Sequence, residues 1–273
     1  MTNLKATLQS LNFHDHKQIQ QLNLDVLIED MLQNIGSTDP VLRDELIYTT
    51  FGNLIYHDFF TIEQRTYLLQ KCVTDDYLFY RIGESKTDSV FTRSFSALVL
   101  ALLLNHDREK LDLPIVQIKH AIACSINYLN EEQDTRGYVE EKGWAHSIAH
   151  GADYLAAAIN HPVFDMENAN NCLDTMMACL FKDGQYKDEE DNRLLFAVDA
   201  LISRNLKEQL MIDWIMSMVE KIHDMLDSQP AQTTTYHQRL NVTAFLKSLY
   251  FRLSYHGDTY TAATNLIHEK YSF

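Results

Sequence analysis

The chain has 273 residues, of which 46% are hydrophobic and 11% aromatic, a composition that excludes a disordered protein. Its formal charge of −15 at pH 7 argues against nucleic-acid binding, which needs a basic surface, and against adsorption to anionic membranes. Only 8 glycines and 4 prolines are present, too few for the many tight turns of an all-β protein, so helix is favoured.

The cysteines and the amino-terminal residues indicate the compartment. Cys72, Cys124, Cys172 and Cys179 lie in apolar helical contexts without a CxxC pair, and we expect them to be reduced thiols in the core. The first residues lack the apolar block of a signal peptide. The longest apolar run, residues 97–104, is too short to span a bilayer. These features predict a cytoplasmic protein with no membrane and no nucleic acid among its partners.

Apolar residues recur at helical spacing along most of the chain. No segment alternates polar and apolar residues strongly enough to predict a sheet of three or more strands. Asp39 followed by Pro40 is typical of a helix start, and Thr61 with Gln64 has the spacing of a capping box. The periodicity predicts helices over 16–34, 40–57, 61–73, 88–105, 114–131, 141–160, 166–181, 188–203, 207–227, 237–254 and 259–270.

The lengths of these helices and of the loops between them predict the architecture. We expect an all-α fold in which antiparallel helical hairpins stack as a HEAT- or armadillo-like solenoid. No clean sequence repeat supports the solenoid, and a compact helical bundle is the alternative. Residues 228–235 are the most linker-like segment, but they are short enough to be a surface loop. Residues 1–273 are therefore predicted to form a single domain.

The predicted helix over residues 141–160 carries the most informative pattern in the chain. At 3.6 residues per turn, His146, His150 and Asp153 share one stripe of the helix. Trp144, Ile148 and Leu155 lie on the opposite stripe and are predicted to be buried. The polar stripe then faces solvent, a cleft or a ligand.

His146 and His150 are spaced so that both imidazoles can reach one metal ion, which makes them the candidate metal ligands. The segment lacks the glutamate that a zincin places beside its first histidine, and a third ligand must come from elsewhere. Asp153 is better placed to orient His150 by a hydrogen bond. The preferred prediction is that this stripe holds no cofactor and is either a hydrogen-bonded polar cluster or a solvated face of the helix. A divalent metal such as zinc is the alternative. By residue type, the candidates for the third ligand are Asp88, Asp134 and Glu140.

Two arginines are candidates for the same site. Arg136 follows Asp134 in the loop before the histidine helix and can hold a carboxylate or phosphate in its fork, or pair with Asp134, Asp153 or Asp88. Arg93 lies near the start of a helix that is otherwise almost wholly apolar, at the rim of the core. We expect Arg93, Arg136, His146 and His150 to converge and to form the principal pocket.

Two further features have mainly structural interpretations. Gly151 lies inside a predicted helix, where glycine costs roughly 0.5–1 kcal/mol relative to alanine. This cost favours close approach of another helix there, and less strongly close approach of a ligand. The acidic residues 188–191 form a first helical turn that suits the helix dipole; binding of a cation is the less favoured interpretation.

Three sequence blocks carry a resemblance to a known family. They are TDSVFTRSFSAL over residues 87–98, DxRGY over 134–138 with GWAHxxAHxxD over 143–153, and RLNVTAFLKSLYFRL over 239–253. Together they resemble the bacterial family catalogued as domain of unknown function 2785, over most of the chain from about residue 40. The resemblance implies an all-helical protein and no particular activity.

Two functions from different classes are compatible with these observations. The preferred prediction is a ligand- or protein-binding module with a polar pocket formed by His146, His150, Asp153, Arg136, Asp134 and Arg93. The alternative is a hydrolase-type enzyme that uses His146 or His150 as a base, with or without a divalent metal. An enzyme needs a concave and partly dry site, whereas a binding module tolerates a polar stripe open to solvent.

Overall fold

The computed structural model describes residues 4–228 and 232–271, and over these residues the fold is all-α. Short helical segments of other types lie at Val41–Ile47 (π), Met166–Asn168 and Gly257–Tyr260 (both 3₁₀). The α-helices are α1 (Leu4–Gln9), α2 (His16–Gln20), α3 (Leu24–Gln33), α4 (Tyr48–Tyr56), α5 (Ile62–Cys72), α6 (Ser89–Lys110), α7 (Ile115–Glu131), α8 (Ser147–Asn160), α9 (Ala169–Leu180), α10 (Glu190–Ser203), α11 (Glu208–Ser228), α12 (Thr233–Ser254) and α13 (Thr261–Tyr271).

From α4 onward, the helices pack in two rows. Helices α4, α6, α8, α10 and α12 each pack against the next in that order, and α5, α7, α9, α11 and α13 form a second row beside them. Helix α8 lies near the centre, against α6, α10 and α7. The apolar stripes predicted from the sequence face these neighbours and form one large core cluster.

Helix α6 is a largely buried element of the core. Among the described residues it is the one helix long and apolar enough to cross a membrane by length and composition, and 78% of that stretch is buried inside the protein. A core helix that is apolar nearly all round has the same composition. The apolarity of α6 is therefore accounted for by its packing against α4, α5, α7 and α8.

Most of the predicted helices are present, with ends shifted by a few residues. The capping box of Thr61 and Gln64 is formed, and Asp39 Oδ1 accepts hydrogen bonds from the N–H groups of Val41 and Leu42. All four cysteines are buried and free, as expected. The predicted helix over 16–34 is interrupted between α2 and α3, the one over 40–57 begins as a π-helix, and α1 was not predicted.

The amino-terminal part of the predicted helix over 141–160 is wrong. Tyr138–Val139 and Gly143–Trp144 form two antiparallel strands, β1 and β2, and α8 begins only after His146. The reason is backbone geometry: Gly143 has φ +77° and His146 has φ +44°, in the left-handed region where a right-handed helix is not continued.

This correction reverses the prediction for Trp144, whose side chain is 39% exposed. Ile148 and Leu155 are fully buried, as predicted. Gly151 has the expected packing role, because a Cβ there would lie 2.5 Å from Leu129 Cδ2 and 2.8 Å from Tyr128 Cε1 of α7.

Candidate functional site

The hairpin β1–β2, which precedes α8, is held in place by the π-helical segment Val41–Ile47. Arg43 of that segment is fully buried and donates hydrogen bonds to the carbonyls of Ser37 and Lys142, at 2.5 and 2.7 Å. Its Nε lies 2.7 Å from Oδ1 of Asp44, and its guanidinium lies 4.1 Å from the centre of the Phe91 ring. Through these contacts Arg43 ties the hairpin to the π-helical segment and to Phe91 of α6.

His146 lies at the junction of the hairpin and α8. Its backbone N–H donates to the carbonyl of Arg136 at 3.0 Å, and its ring stacks on the indole of Trp144. Nε2 lies 2.9 Å from the carbonyl oxygen of Asp188, in the loop before α10. The ring is half-buried, and burial lowers the pKa of His146 below its usual value, although the Asp188 backbone and carboxylate oppose this shift. A neutral imidazole is favoured here.

His150 lies one turn further along α8 and is 7% exposed. Its ring centre is 5.6 Å from that of His146 and 5.2 Å from that of Phe95, both in edge-on geometry. Burial lowers the pKa of His150 well below its usual value, and repulsion from Arg193, from Arg43 and from His146 when it is protonated adds to this effect. Two cations thus lie near the histidine pair, but they are Arg193 and Arg43 and not the predicted Arg93 and Arg136.

Asp153 does not orient His150, contrary to the prediction. Its carboxylate is bound in a two-pronged ion pair by Nε and Nη2 of Arg193 on α10. Burial raises the pKa of Asp153, and Arg193 partly compensates. The pair links α8 to α10 at their shared interface. Asp153 therefore belongs to the packing between these helices.

Arg93 also serves packing. Its Nε and Nη2 donate to the two carboxylate oxygens of Glu132, at 2.7 and 2.8 Å, and both side chains are fully buried. Its Nη1 donates to the carbonyl of Tyr80 at 3.0 Å. This pair joins the start of α6 to the end of α7 and fixes the direction in which the chain leaves α7.

Arg136 is fixed by its neighbour Asp134, which is 1% exposed. Nε and Nη2 of Arg136 donate to the Asp134 carboxylate at 2.8 and 2.6 Å, and Nη2 also donates to the carbonyl of Thr87. Asp134 further accepts the backbone N–H of Lys86 at 2.8 Å. Among the described residues, Nη1 of Arg136 has no hydrogen-bond partner. The guanidinium is therefore held rigidly with one donor edge unused.

That arginine lines a cleft of about 470 Å³. Its walls are the segment 135–138 and the loop 183–188, and the two are tied together by a hydrogen bond from Thr135 Oγ1 to the carbonyl of Asp183. His146 and His150 do not line this cleft, so the predicted pocket is displaced from the histidines. The lining residues are Lys86, Thr135, Arg136, Gly137, Tyr138, Asp183, Gly184, Gln185, Lys187, Asp188 and His237.

Asp188 and Glu190 connect the cleft to His146. Oε2 of Glu190 accepts the backbone N–H groups of Lys187 and Asp188 at 3.1 and 3.0 Å, while its Oε1 lies 3.9 Å from Nε2 of His146. Asp188 Oδ2 accepts the N–H of Tyr138 at 3.0 Å. One ligand atom from each of the three side chains lies within 4.8 Å of the other two.

Sequence reasoning gave cation binding by residues 188–191 only as the less favoured interpretation, did not link them to His146, and named other residues as the third ligand. Asp88 instead pairs with Lys142 at 2.8 Å, Asp134 with Arg136, and Glu140 is exposed. His150 is not in the three-residue group either. The acidic turn at 188–191 was the available signal, but its closeness to His146 depends on how α10 packs against α8.

The comparisons with known proteins identify a family but no activity. No curated protein and no solved structure matches the chain. A family model described as protein of unknown function (DUF2785) matches residues 78–251. That range contains the first two sequence blocks and most of the third, and it begins later than residue 40. The chain therefore belongs to the DUF2785 family.

Proposed function

We propose that this protein is a binding module for small oxyanions, carboxylate or phosphate, and that the cleft at Arg136 is its binding site. The observation that carries the proposal is the unused Nη1 edge of Arg136. A guanidinium that a buried carboxylate already holds in place loses little side-chain entropy when it binds a ligand. Arg136 is fixed in this way by Asp134.

The charge of the cleft supports an anionic ligand. Three cationic side chains line it, those of Lys86, Arg136 and Lys187, against the two carboxylates of Asp183 and Asp188. Within residues 4–228 and 232–271, the ammonium groups of Lys86 and Lys187 form no ion pair. The cleft thus brings three cationic side chains together on a chain with a formal charge of −15, and an anion would meet less repulsion there than at the acidic parts of the surface.

The size of the cleft favours a small molecule over a protein partner. A volume of about 470 Å³ lies in the range of small-molecule sites, about 300–1,000 Å³. A stable protein interface buries about 800 Å² on each partner, more than a cleft of this size offers.

We also propose that the helices form a stacked HEAT-like array and not a compact bundle. The order in which α4, α6, α8, α10 and α12 pack against one another supports this arrangement.

The alternative, a hydrolase that uses a histidine base, is supported less well. His150, on α8, is buried against Phe95 of α6, so a catalytic base would have to be His146. His146 lies behind Asp188 and does not line the cleft. Binding without catalysis is therefore the function that this geometry supports best.

Calorimetric titration with inorganic pyrophosphate and with citrate tests the proposal. The protein is first freed of metal by a chelating resin, and glucose serves as the uncharged probe. Arg136→Lys keeps the positive charge but loses the planar guanidinium, which can donate two parallel hydrogen bonds to an oxyanion. Lys187→Ala removes an exposed cation. Lys119→Ala, an exposed residue of α7 outside the cleft, is the matched control.

We expect at least one of the two anions to bind, and glucose not to bind. Arg136→Lys and Lys187→Ala should each weaken binding about tenfold, the loss of one charge-assisted contact, and Lys119→Ala should bind like the wild type. Absence of binding by both anions contradicts the proposal. Equal affinity in the wild type and in Lys187→Ala does so as well.

A further inference from the structure

We infer that His146, Asp188 and Glu190 form a binding site for one divalent first-row transition cation, of the Zn²⁺ or Mn²⁺ type. The site lies between the hairpin β1–β2 and the start of α10. It goes beyond the proposed oxyanion site and rests on different side chains, apart from Asp188, which borders both.

The distances suit a metal ion after a small closure. Around a tetrahedral ion with ligand distances near 2.1 Å, neighbouring ligand atoms are about 3.4 Å apart. Glu190 Oε1 is 3.9 Å from His146 Nε2, and the three ligand atoms lie within 4.8 Å of one another. A metal ion would replace the present contact of Nε2 with the Asp188 carbonyl oxygen, 2.9 Å away, and small rotations of the Asp188 and Glu190 side chains would close the remaining gaps.

The charge of the cluster favours a cation. Asp188 and Glu190 place two carboxylates side by side, and the Glu190 side chain is 2% exposed. In the described part of the chain, neither carboxylate forms an ion pair with a lysine or arginine. A buried carboxylate beside a half-buried one is unfavourable without a counter-ion, and a divalent ion would neutralise both.

Two further features concern the immediate surroundings of the cluster. Gly137 has no side chain where a Cβ would overlap Asp188 Oδ2 and lie 2.6 Å from Glu190 Oε1, so the backbone approaches both carboxylates closely. Next to the cluster, Nδ1 of His150 is buried and has no hydrogen-bond partner, although its ring is only 5.6 Å from that of His146. A polar ring atom left unpaired in the interior is costly, and a bound molecule within its reach would lower that cost.

The donor set indicates the class of ion. One imidazole nitrogen with two carboxylates suits zinc or manganese, whereas magnesium and calcium prefer oxygen ligands alone. Three protein ligands leave at least one coordination position for water or for another ligand. Because Asp188 also lines the cleft, that position is next to the proposed oxyanion site.

Titration of the resin-treated full chain with Zn²⁺, and separately with Mn²⁺ and Mg²⁺, tests the inference without any anion present. Calorimetry gives stoichiometry and affinity, and the electron paramagnetic resonance of Mn²⁺ reports the bound ion directly. His146→Asn keeps a residue that tolerates positive φ, and Glu190→Gln keeps size and backbone hydrogen bonding. The matched controls are His237→Asn and Asp183→Asn, two cleft residues outside the cluster.

We expect one Zn²⁺ or Mn²⁺ per chain, with Mg²⁺ at least tenfold weaker. Each cluster variant should lose at least tenfold in affinity, and each control should bind like the wild type. A wild-type protein that binds neither transition ion overturns the inference, as does a folded Glu190→Gln protein with unchanged affinity. Since the oxyanion titrations are made on metal-free protein, the failure of one proposal leaves the other standing.

Discussion

The indole ring of Trp144 stacks on the imidazole of His146, with 4.4 Å between ring centres and 22° between ring planes. Tyr138 packs edge-on against Trp144, with 5.0 Å between ring centres. The three rings lie along one edge of the hairpin, and the indole and the phenol are partly exposed to solvent. Trp144 therefore covers the histidine at the candidate site and does not anchor the core.

This arrangement predicts unequal roles for the two tryptophans. Trp144→Ala should lower the free energy of unfolding by about 1 kcal/mol, because the side chain is already partly exposed. Trp214 is 4% exposed, and Trp214→Ala should cost about 3–5 kcal/mol, as for other buried aromatic residues. Urea denaturation of the two variants measures both values. Equal losses would mean that Trp144 is part of the core after all.

The buried pair of Arg93 and Glu132 should be essential for folding. Arg93→Met leaves the Glu132 carboxylate uncompensated in the interior, and we expect a loss of about 3–5 kcal/mol. Lys142→Met, which removes one partner of the exposed pair with Asp88, should change stability by about 1 kcal/mol or less. The double variant Arg93→Met with Glu132→Met should be more stable than Arg93→Met alone. If Arg93→Met is no more harmful than Lys142→Met, Arg93 has no structural role.

His150 should make the folded state sensitive to acid. Its pKa in the folded protein is well below 6.5, mainly because it is buried. As the pH falls below about 6.5, the unfolded chain binds a proton that the folded chain does not. Stability is therefore complete above that pH and decreases below it, by about 1.4 kcal/mol per pH unit for this one group.

Urea denaturation at a series of pH values measures this dependence, with His150→Leu as the comparison. The variant should lose less stability than the wild type as the pH falls, because its folded state no longer excludes a titrating imidazole. Parallel stability curves for the two proteins would show that His150 is not the responsible group.

Two helical glycines should respond to alanine in opposite directions. In Gly151→Ala the new methyl group would lie 2.5 Å from Leu129 Cδ2, and overpacking of this kind costs about 1–3 kcal/mol. In Gly52→Ala, on α4, the nearest atom is Leu102 Cδ1 at 3.9 Å, and the gain in helix propensity of roughly 0.5–1 kcal/mol should prevail. The melting temperatures of both variants check the signs, and a stabilised Gly151→Ala protein would exclude close packing against α7.

The sequence predicted the helical fold well because its signals are local. The capping box of Thr61 and Gln64 and the buried stripe of Ile148 and Leu155 follow directly from residue spacing. The hairpin was missed because its two strands have only two residues each. It is held by Arg43, which is 99 positions away in sequence from Lys142, and no local pattern reveals such a contact.

The candidate site was predicted in part, for a similar reason. His146 and Arg136 were identified by residue type and spacing, and both are present at the site or the cleft. Their partners are set by tertiary packing: α10 supplies Arg193 to Asp153 and Glu190 to the neighbourhood of His146. The left-handed conformation of His146 also shifted the start of the helix, which changed the face assigned to Trp144.

The central claim, that the cleft at Arg136 binds oxyanions, is tested most directly by two-dimensional NMR of backbone amides. Metal-free protein is titrated with inorganic pyrophosphate and, separately, with citrate. Gly137 and Gly184 line the cleft, whereas Gly52 lies on α4, outside it. We predict saturable shifts of the Gly137 and Gly184 amides with an unchanged Gly52 amide. Unchanged Gly137 and Gly184 amides with both anions, or equal shifts of all three glycines, would contradict the account.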